Sequence, residues 1–171
     1  MITKHTNLQN IQRKLFTIEP LLKQIAIWRM KSNRIVFTNG CFDILHPGHV
    51  DYLSKAADLG DILIIGLNSD NSVKQLNKGI NRPIQNETDR ALILTSIQFI
   101  EAIIIFEEAT PYELIKALEP DILVKGGDWK EADIVGADIV KAKGGTVLSI
   151  PFVEGYSTTN IENKIKESIR S

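Results

Sequence analysis

Residues 38–49, Thr38-Asn39-Gly40-Cys41-Phe42-Asp43-Ile44-Leu45-His46-Pro47-Gly48-His49, decide how this chain is read. The stretch follows a β-branched run, Ile35 to Thr38, that reads as a strand. Gly40 permits a tight turn with close backbone approach, and Pro47 suits the first turn of a helix. That helix carries Val50, Leu53 and Ala57 on its expected buried face and stops at Gly60. In an open parallel sheet, ligands bind beyond the carboxyl ends of the strands, and a helix N-terminus there attracts phosphate. His46 and His49 therefore flank a phosphate-sized site.

Outward from this point, short apolar strands alternate with helical patterns, the rhythm of a parallel sheet covered on both faces. The expected strands are Ile35 to Thr38, Ile62 to Leu67, Ala102 to Phe106, Ile122 to Val124 and Thr146 to Ile150. Helices are expected near Glu87 to Ile97, with Ala91, Leu92, Leu94 and Ile97 buried, and near Pro111 to Leu118 and Ala132 to Ala142. A last helix starts at Ser157 and Thr158, good N-cap residues, with Ile161, Ile165 and Ile169 at four-residue spacing. Ahead of the sheet, Ile18 to Met30 reads as an extra helix through Leu21, Leu22, Ile25 and Trp28. The expected architecture is thus a Rossmann-like three-layer α/β/α domain over residues 18–171, a five-stranded parallel sheet plus an N-terminal helix. Residues 1–17 form a loosely held segment before it.

Composition narrows the function classes. Twenty Lys and Arg stand against 21 Asp and Glu, a net charge of −1 that argues against a nucleic-acid binder. With one cysteine, Cys41, there is no disulfide framework, which suits a reducing cytoplasm. No apolar run reaches the roughly 18 residues needed to span a bilayer, and the first residues lack a signal-peptide core. A cytosolic protein without membrane insertion is the expectation.

Two nearby histidines by themselves fit a cap and a surface residue as well as a ligand site. A zinc reading needs a third ligand; His5 is remote in sequence, no H-E-x-x-H exists, and Asp43 is the carboxylate that would have to serve. Walker-A and G-x-G-x-x-G patterns are both missing. The segment 71–86 carries Lys74, Lys78 and Arg82 with weak periodicity, either a cationic lid over phosphates or a solvated charge cluster. Lys125-Gly126-Gly127-Asp128-Trp129 sits where glycines let backbone approach a base or ribose, with a plain strand-to-helix turn as the alternative. Cys41 reads as a small buried residue beside the site with no chemistry of its own.

"GCFDILHPGH" resembles the G-x-F-D plus H-x-G-H signature of the cytidylyltransferase-like nucleotidyltransferases, and "GYSTTNI" resembles their second signature. Within that superfamily the stretches "RIVFTNGCFDILHPGHVDYL", "LNSDNSVKQLNKGINRP", "DILVKGGDW" and "IPFVEGYSTTNI" are most similar to the adenylyltransferases of ADP-heptose synthesis. The resemblance runs from about Leu21 to the C-terminus. It implies attack by the oxygen of D-glycero-β-D-manno-heptose 1-phosphate on the α-phosphorus of ATP, with Mg²⁺ carried by the ATP phosphates and no dedicated metal ligands in the protein. His46, His49 and Lys78 would be catalytic. Asn39, Gly40, Cys41, Phe42, Asp43, Lys74, Arg90, Gly126, Asp128, Ser157, Thr158 and Thr159 would join the histidines around the nucleotide, and Arg82 and Trp129 would meet the sugar phosphate. It further implies a homodimer, with Trp28 and the N-terminal helix as contact surface, and a separate heptose kinase in the pathway. Glycerol-3-phosphate cytidylyltransferases are also similar but carry an arginine where this chain has Phe152, and a phenyl ring does not replace a bidentate phosphate ligand. A non-catalytic nucleotide-binding module is the third reading.

Overall fold

The computed structural model describes residues 5–76 and 82–170. In chain order the elements are α1 (Asn7–Gln12), β1 (Leu15–Phe16), α2 (Ile18–Met30), β2 (Ile35–Gly40), α3 (Pro47–Ala57), β3 (Ile62–Asn68), α4 (Asp70–Gln75), α5 (Glu87–Thr95), β4 (Ala102–Phe106), α6 (Tyr112–Leu118), β5 (Ile122–Gly126), a 3₁₀ turn over Glu131–Asp133, α7 (Ala137–Ala142), β6 (Thr146–Ile150) and α8 (Thr158–Arg170). All strand pairings are parallel, in the order β1-β4-β3-β2-β5-β6.

The strand runs are continuous in apolar residues because both sheet faces are covered. Along β2, Ile35 and Phe37 point into one core with Leu21 and Ile25 of α2 and Ile115 and Leu118 of α6. Val36 points the other way, joining Leu53 and Ala56 of α3 and Ala91 and Leu94 of α5. Successive strand residues face opposite sides, so a single strand anchors both helix layers. The sheet order reverses direction at β2, which pairs with β3 on one side and β5 on the other. The crevice at that switch point, beyond Gly40 and Gly126, is where the site lies.

Among the described residues the sheet has six strands where five were expected. The addition is Leu15–Phe16, which pairs with Ile103 and Ile104 at the sheet edge. Two residues are too short for any periodicity to betray. The stretch expected to be loosely held also contains α1, whose N-terminus is closed by a reciprocal capping box between Thr6 and Gln9. The helix expected over Ala132 to Ala142 is split, because Gly136 sits at φ 85°, outside the right-handed helical region. Part of the weakly periodic segment after β3 is helical: α4, capped by the Ser69 side chain on the Ser72 amide. In α3 the buried set is Gly48, Tyr52, Leu53 and Ala56, while Val50 is exposed. In α5, Arg90 and Thr95 are buried with Ala91 and Leu94, and Leu92 is exposed.

Candidate active site

The floor is laid by β2. Thr38, fully buried, shares a 2.5 Å hydrogen bond with the Tyr52 hydroxyl, which also reaches the Val124 carbonyl at 3.4 Å. Burial pushes the Tyr52 phenol up to about 12 against the opposing pull of Thr38 and the Gly126 backbone, so it stays protonated as a donor. This bond ties β2, α3 and β5 together beneath the cavity. Above it, Phe42 adopts φ 45°, a left-handed conformation that costs a non-glycine residue about 1–2 kcal/mol. The strained turn places its ring edge-on to His49, 5.3 Å between centroids.

His46 is the N-cap of α3, in extended conformation, with Pro47 in the first turn. The His46 and His49 rings stack, 3.8 Å between centroids and 19° from parallel. Both Nδ1 atoms are buried without a hydrogen-bond partner among the described residues. Burial lowers the pKa of both, and that of His49 falls to about 4, helped by the neighbouring His46; the Ile44 backbone pulls the other way without closing a well-formed bond at Nδ1. At neutral pH both imidazoles are uncharged, each with one N–H to donate. Gly48 makes the arrangement possible, since a Cβ there would lie 3.1 Å from His46 Nδ1 and 3.0 Å from Tyr156 Cβ. Through this gap the loop before α8 meets the loop before α3, with Tyr156 stacked on His46 at 6.4 Å.

Asp43 is a brace. Its carboxylate, 4% exposed, accepts from the amides of Ile84 (2.8 Å) and Gln85 (3.0 Å) and from Arg82 Nη1 (2.8 Å). Burial alone would raise its pKa, but the two amides and the guanidinium outweigh it and hold the carboxyl below its ordinary value. Arg82 also pairs with Glu162 of α8, so one guanidinium links the loop before α3 to the last helix. Arg90, 1% exposed, donates to the carbonyls of Cys41 (2.6 Å), Asn68 (2.8 Å) and Gln85 (3.0 Å) and to Asp70 (2.7 Å). It ties three loops together and does not line the cavity.

These elements enclose a cavity of about 730 Å³, within the range of small-molecule sites. Of the residues singled out in the sequence, Asn39, Gly40, Cys41, Phe42, Asp43, His49, Arg82, Gly126, Trp129, Thr158 and Thr159 line it. His46 instead lines an adjoining groove with Leu45, Val50 and Phe99. Lys74 is exposed on α4 and Asp128 is exposed after β5; neither lines the cavity. Ser157 caps α8, its Oγ accepting from the Asn160 amide at 3.0 Å, and helical residues begin at Thr158. Cys41, expected to be buried, is half-buried where it lines the cavity. Lys78 lies outside the described residues. Among the described residues no group of three His, Cys, Asp or Glu is placed to hold a metal ion, and Asp43 is already engaged, so the zinc reading finds no ligand set.

Tyr52 and Thr110 carry no signal in the sequence, Lys125 stands in the Lys125-to-Trp129 stretch without a role of its own, and Phe152 serves there only to separate related families. All four line the cavity. Lys125 Nζ donates to Asn39 Oδ1 at 3.2 Å, across the switch point between β5 and β2. Its place at the carboxyl end of a strand, directly before Gly126, was the available signal.

A family model described as Cytidylyltransferase-like matches residues 37–164. Among curated proteins, the chain is 50% identical over 157 residues to the bifunctional protein HldE of Wolinella succinogenes, covering 92% of this chain and 32% of that protein. It is 58% identical over 136 residues to the bifunctional protein HldE of a Nitratiruptor species, covering 80% of this chain and 28% of that one. The chain thus spans about a third of the length of these relatives. Among solved structures, a lipopolysaccharide core biosynthesis protein from Thermoplasma volcanium superposes with a TM-score of 0.59 at 28% identity, over 73% of this chain and 99% of that one. A pantoate-beta-alanine ligase from Francisella tularensis, at 17% identity and TM-score 0.51 over 88% of this chain and 77% of that one, shares the fold.

Proposed function

The chain belongs to the cytidylyltransferase-like family, and from that membership and the cavity's geometry we propose that it transfers AMP from ATP to D-glycero-β-D-manno-heptose 1-phosphate, forming ADP-heptose for lipopolysaccharide core synthesis and releasing pyrophosphate. The observation that carries the reading is the stacked, uncharged His46–His49 pair at the N-terminus of α3, with His49 and the Thr158–Thr159 start of α8 opening on one cavity. The half-identical HldE relatives and the Thermoplasma protein named for lipopolysaccharide core biosynthesis support the substrate.

An oxygen of the acceptor phosphate attacks the α-phosphorus of ATP, and the bond to the bridging oxygen breaks as pyrophosphate departs with that electron pair. A phosphate monoester with a second pKa of about 6 is mostly dianionic at neutral pH and needs no general base. The protein's task is in-line positioning and stabilisation of charge. His49 donates an N–H to the triphosphate, and His46, stacked on it, fixes the ring plane and adds a second donor at the edge of the site. The amides and hydroxyls at the start of α8 meet the same phosphates from the opposite helix terminus. Arg82 holds both walls while Lys125 and Lys78 supply positive charge. Mg²⁺ held by the nucleotide would offset the charge of the phosphates. The described residues fit that arrangement better than a protein-held ion, since Asp43 is spent on Arg82 and two amides. The acceptor is the product of a heptose kinase. The active species is a homodimer, which a concentration-independent monomer mass by sedimentation would rule out.

Pyrophosphate release, measured with Mg²⁺ and each pairing of ATP or CTP with the heptose 1-phosphate or glycerol 3-phosphate, tests the proposal. Release with ATP and the heptose phosphate alone is expected. Activity with CTP and glycerol 3-phosphate would replace it with the cytidylyltransferase reading.

A further inference from the structure

Two half-exposed aromatic rings stand over the end of β5, and the phosphate chemistry above uses neither. Phe152 is 60% exposed and Trp129 is 50% exposed, yet both line the cavity. An apolar ring left in water beside a cavity gains by being covered, and aromatic rings are the usual lining where a ligand presents a flat face.

The rings are built in. Phe152 lies two residues beyond Ile150, the last residue of β6, which pairs with Gly126 at the end of β5. From there its ring folds back over the glycines: a Cβ on Gly126 would fall 2.5 Å from Phe152 Cε1, and one on Gly127 would fall 3.4 Å from Phe152 Cε2. Gly127, at φ 113°, is also 3.0 Å from Trp129 Nε1 by the same measure. Any larger residue at 126 would push Phe152 off its seat. The ring is further supported edge-on by Tyr52, 6.2 Å between centroids. Trp129 is pinned at both ends, its amide to Ser149 Oγ and its Nε1 to the Gly126 carbonyl, each at 3.1 Å. Its one polar atom is therefore turned back to the protein, and what it offers the cavity is ring.

We propose that Phe152, with Trp129 beside it, is the stacking platform for the nucleobase of the bound nucleotide, and that it favours a purine over a pyrimidine. The inference rests on the nucleotidyltransferase reading. The helix termini and His49 answer the phosphates; a planar, π-faced group is the part of the nucleotide that matches two exposed rings over a glycine pair. Stacking area grows with the number of fused rings, so adenine gains more than cytosine. The position that separates this chain from the arginine-bearing cytidylyltransferases thereby acquires a role of its own.

The test is ATP binding without acceptor, by calorimetry, for the wild-type protein and F152A, F152L and F152Y. Base–aromatic stacking predicts that F152A binds ATP roughly tenfold or more weakly, F152Y binds as the wild type does, and F152L recovers little. The ratio of ATP to CTP affinity should shrink in F152A, with the KM for the acceptor unchanged. A residue so exposed should leave the fold intact, which circular dichroism checks. Equal ATP affinity in wild type and F152A, or a loss confined to the acceptor KM, would overturn the platform alone. A wild-type protein that binds no ATP would overturn the nucleotidyltransferase reading and the platform together.

Discussion

The loop before α3 and the loop before α8 each bring a helix N-terminus to one cavity, but the molecule holds them in opposite ways. The first is fastened from every side. Asp43 takes two amides and Arg82, Arg90 grips the Cys41 carbonyl, Phe42 is wedged in a left-handed conformation, and α3 buries Tyr52, Leu53 and Ala56. The second has little underneath it: Tyr156 is exposed, and Ile165 and Ile169 of α8 are 51% and 78% exposed. Among the described residues, its ties to the first include the Arg82–Glu162 ion pair and Tyr156 against His46 and Gly48. One half of the site is preorganised, as electrostatic stabilisation of developing charge demands. The other is lightly held, as expected of an element that must admit and release substrates.

Substitutions on the two sides should therefore differ in effect. The largest effect belongs to His49. Removing one preorganised donor should lower kcat of His49→Ala by about 10²–10³-fold with the denaturation midpoint nearly unchanged, and near-normal turnover would remove His49 from the chemistry. Next is Arg90→Met, which leaves three carbonyls and Asp70 without their partner and should cost about 3 kcal/mol of unfolding free energy in urea titration. A loss below 1 kcal/mol would mean that the first loop does not depend on this brace.

The third concerns pH. The folded-state pKa of His49, about 4, lies below the unfolded value of 6.5, so between these two the unfolded chain binds the extra proton. Stability therefore rises with pH across that window and is lost as pH falls from 6.5 toward 4. The His49 share is on the order of 2 kcal/mol, allowing for solvent at the ring, and should vanish from the pH–stability profile of His49→Phe. The smallest effect is Ile169→Ser, which should change unfolding free energy by less than about 0.5 kcal/mol; a larger loss would show that α8 is packed more firmly than its exposure indicates.

The same contrast governs what the sequence made legible. β2, β3 and β4 were readable because strands covered on both faces are continuous apolar runs, and α2 was expected and found over Ile18 to Met30. β1 escaped because two residues carry no period, and α7 was drawn too long because the backbone angle of Gly136 is invisible in composition. In the site, the first loop announced itself by local residue types, Gly40, Pro47 and two histidines. The burial of Arg90 was not legible because two of its partner segments, around Cys41 and around Asn68 and Asp70, are distant in sequence; on a helix, nothing in the sequence distinguishes a buried arginine from a solvated one. Lys125 went unassigned because its partner, Asn39, lies on another strand.

Whether the uncharged His49 ring faces the phosphates is tested most directly by NMR titration of that ring with and without ATP. An adjacent polyphosphate favours the protonated ring, so the pKa should climb from about 4 toward the ordinary histidine value when ATP binds, with proton uptake near pH 5. An unchanged titration in the ATP-saturated protein would place the phosphates elsewhere and remove His49 from their binding.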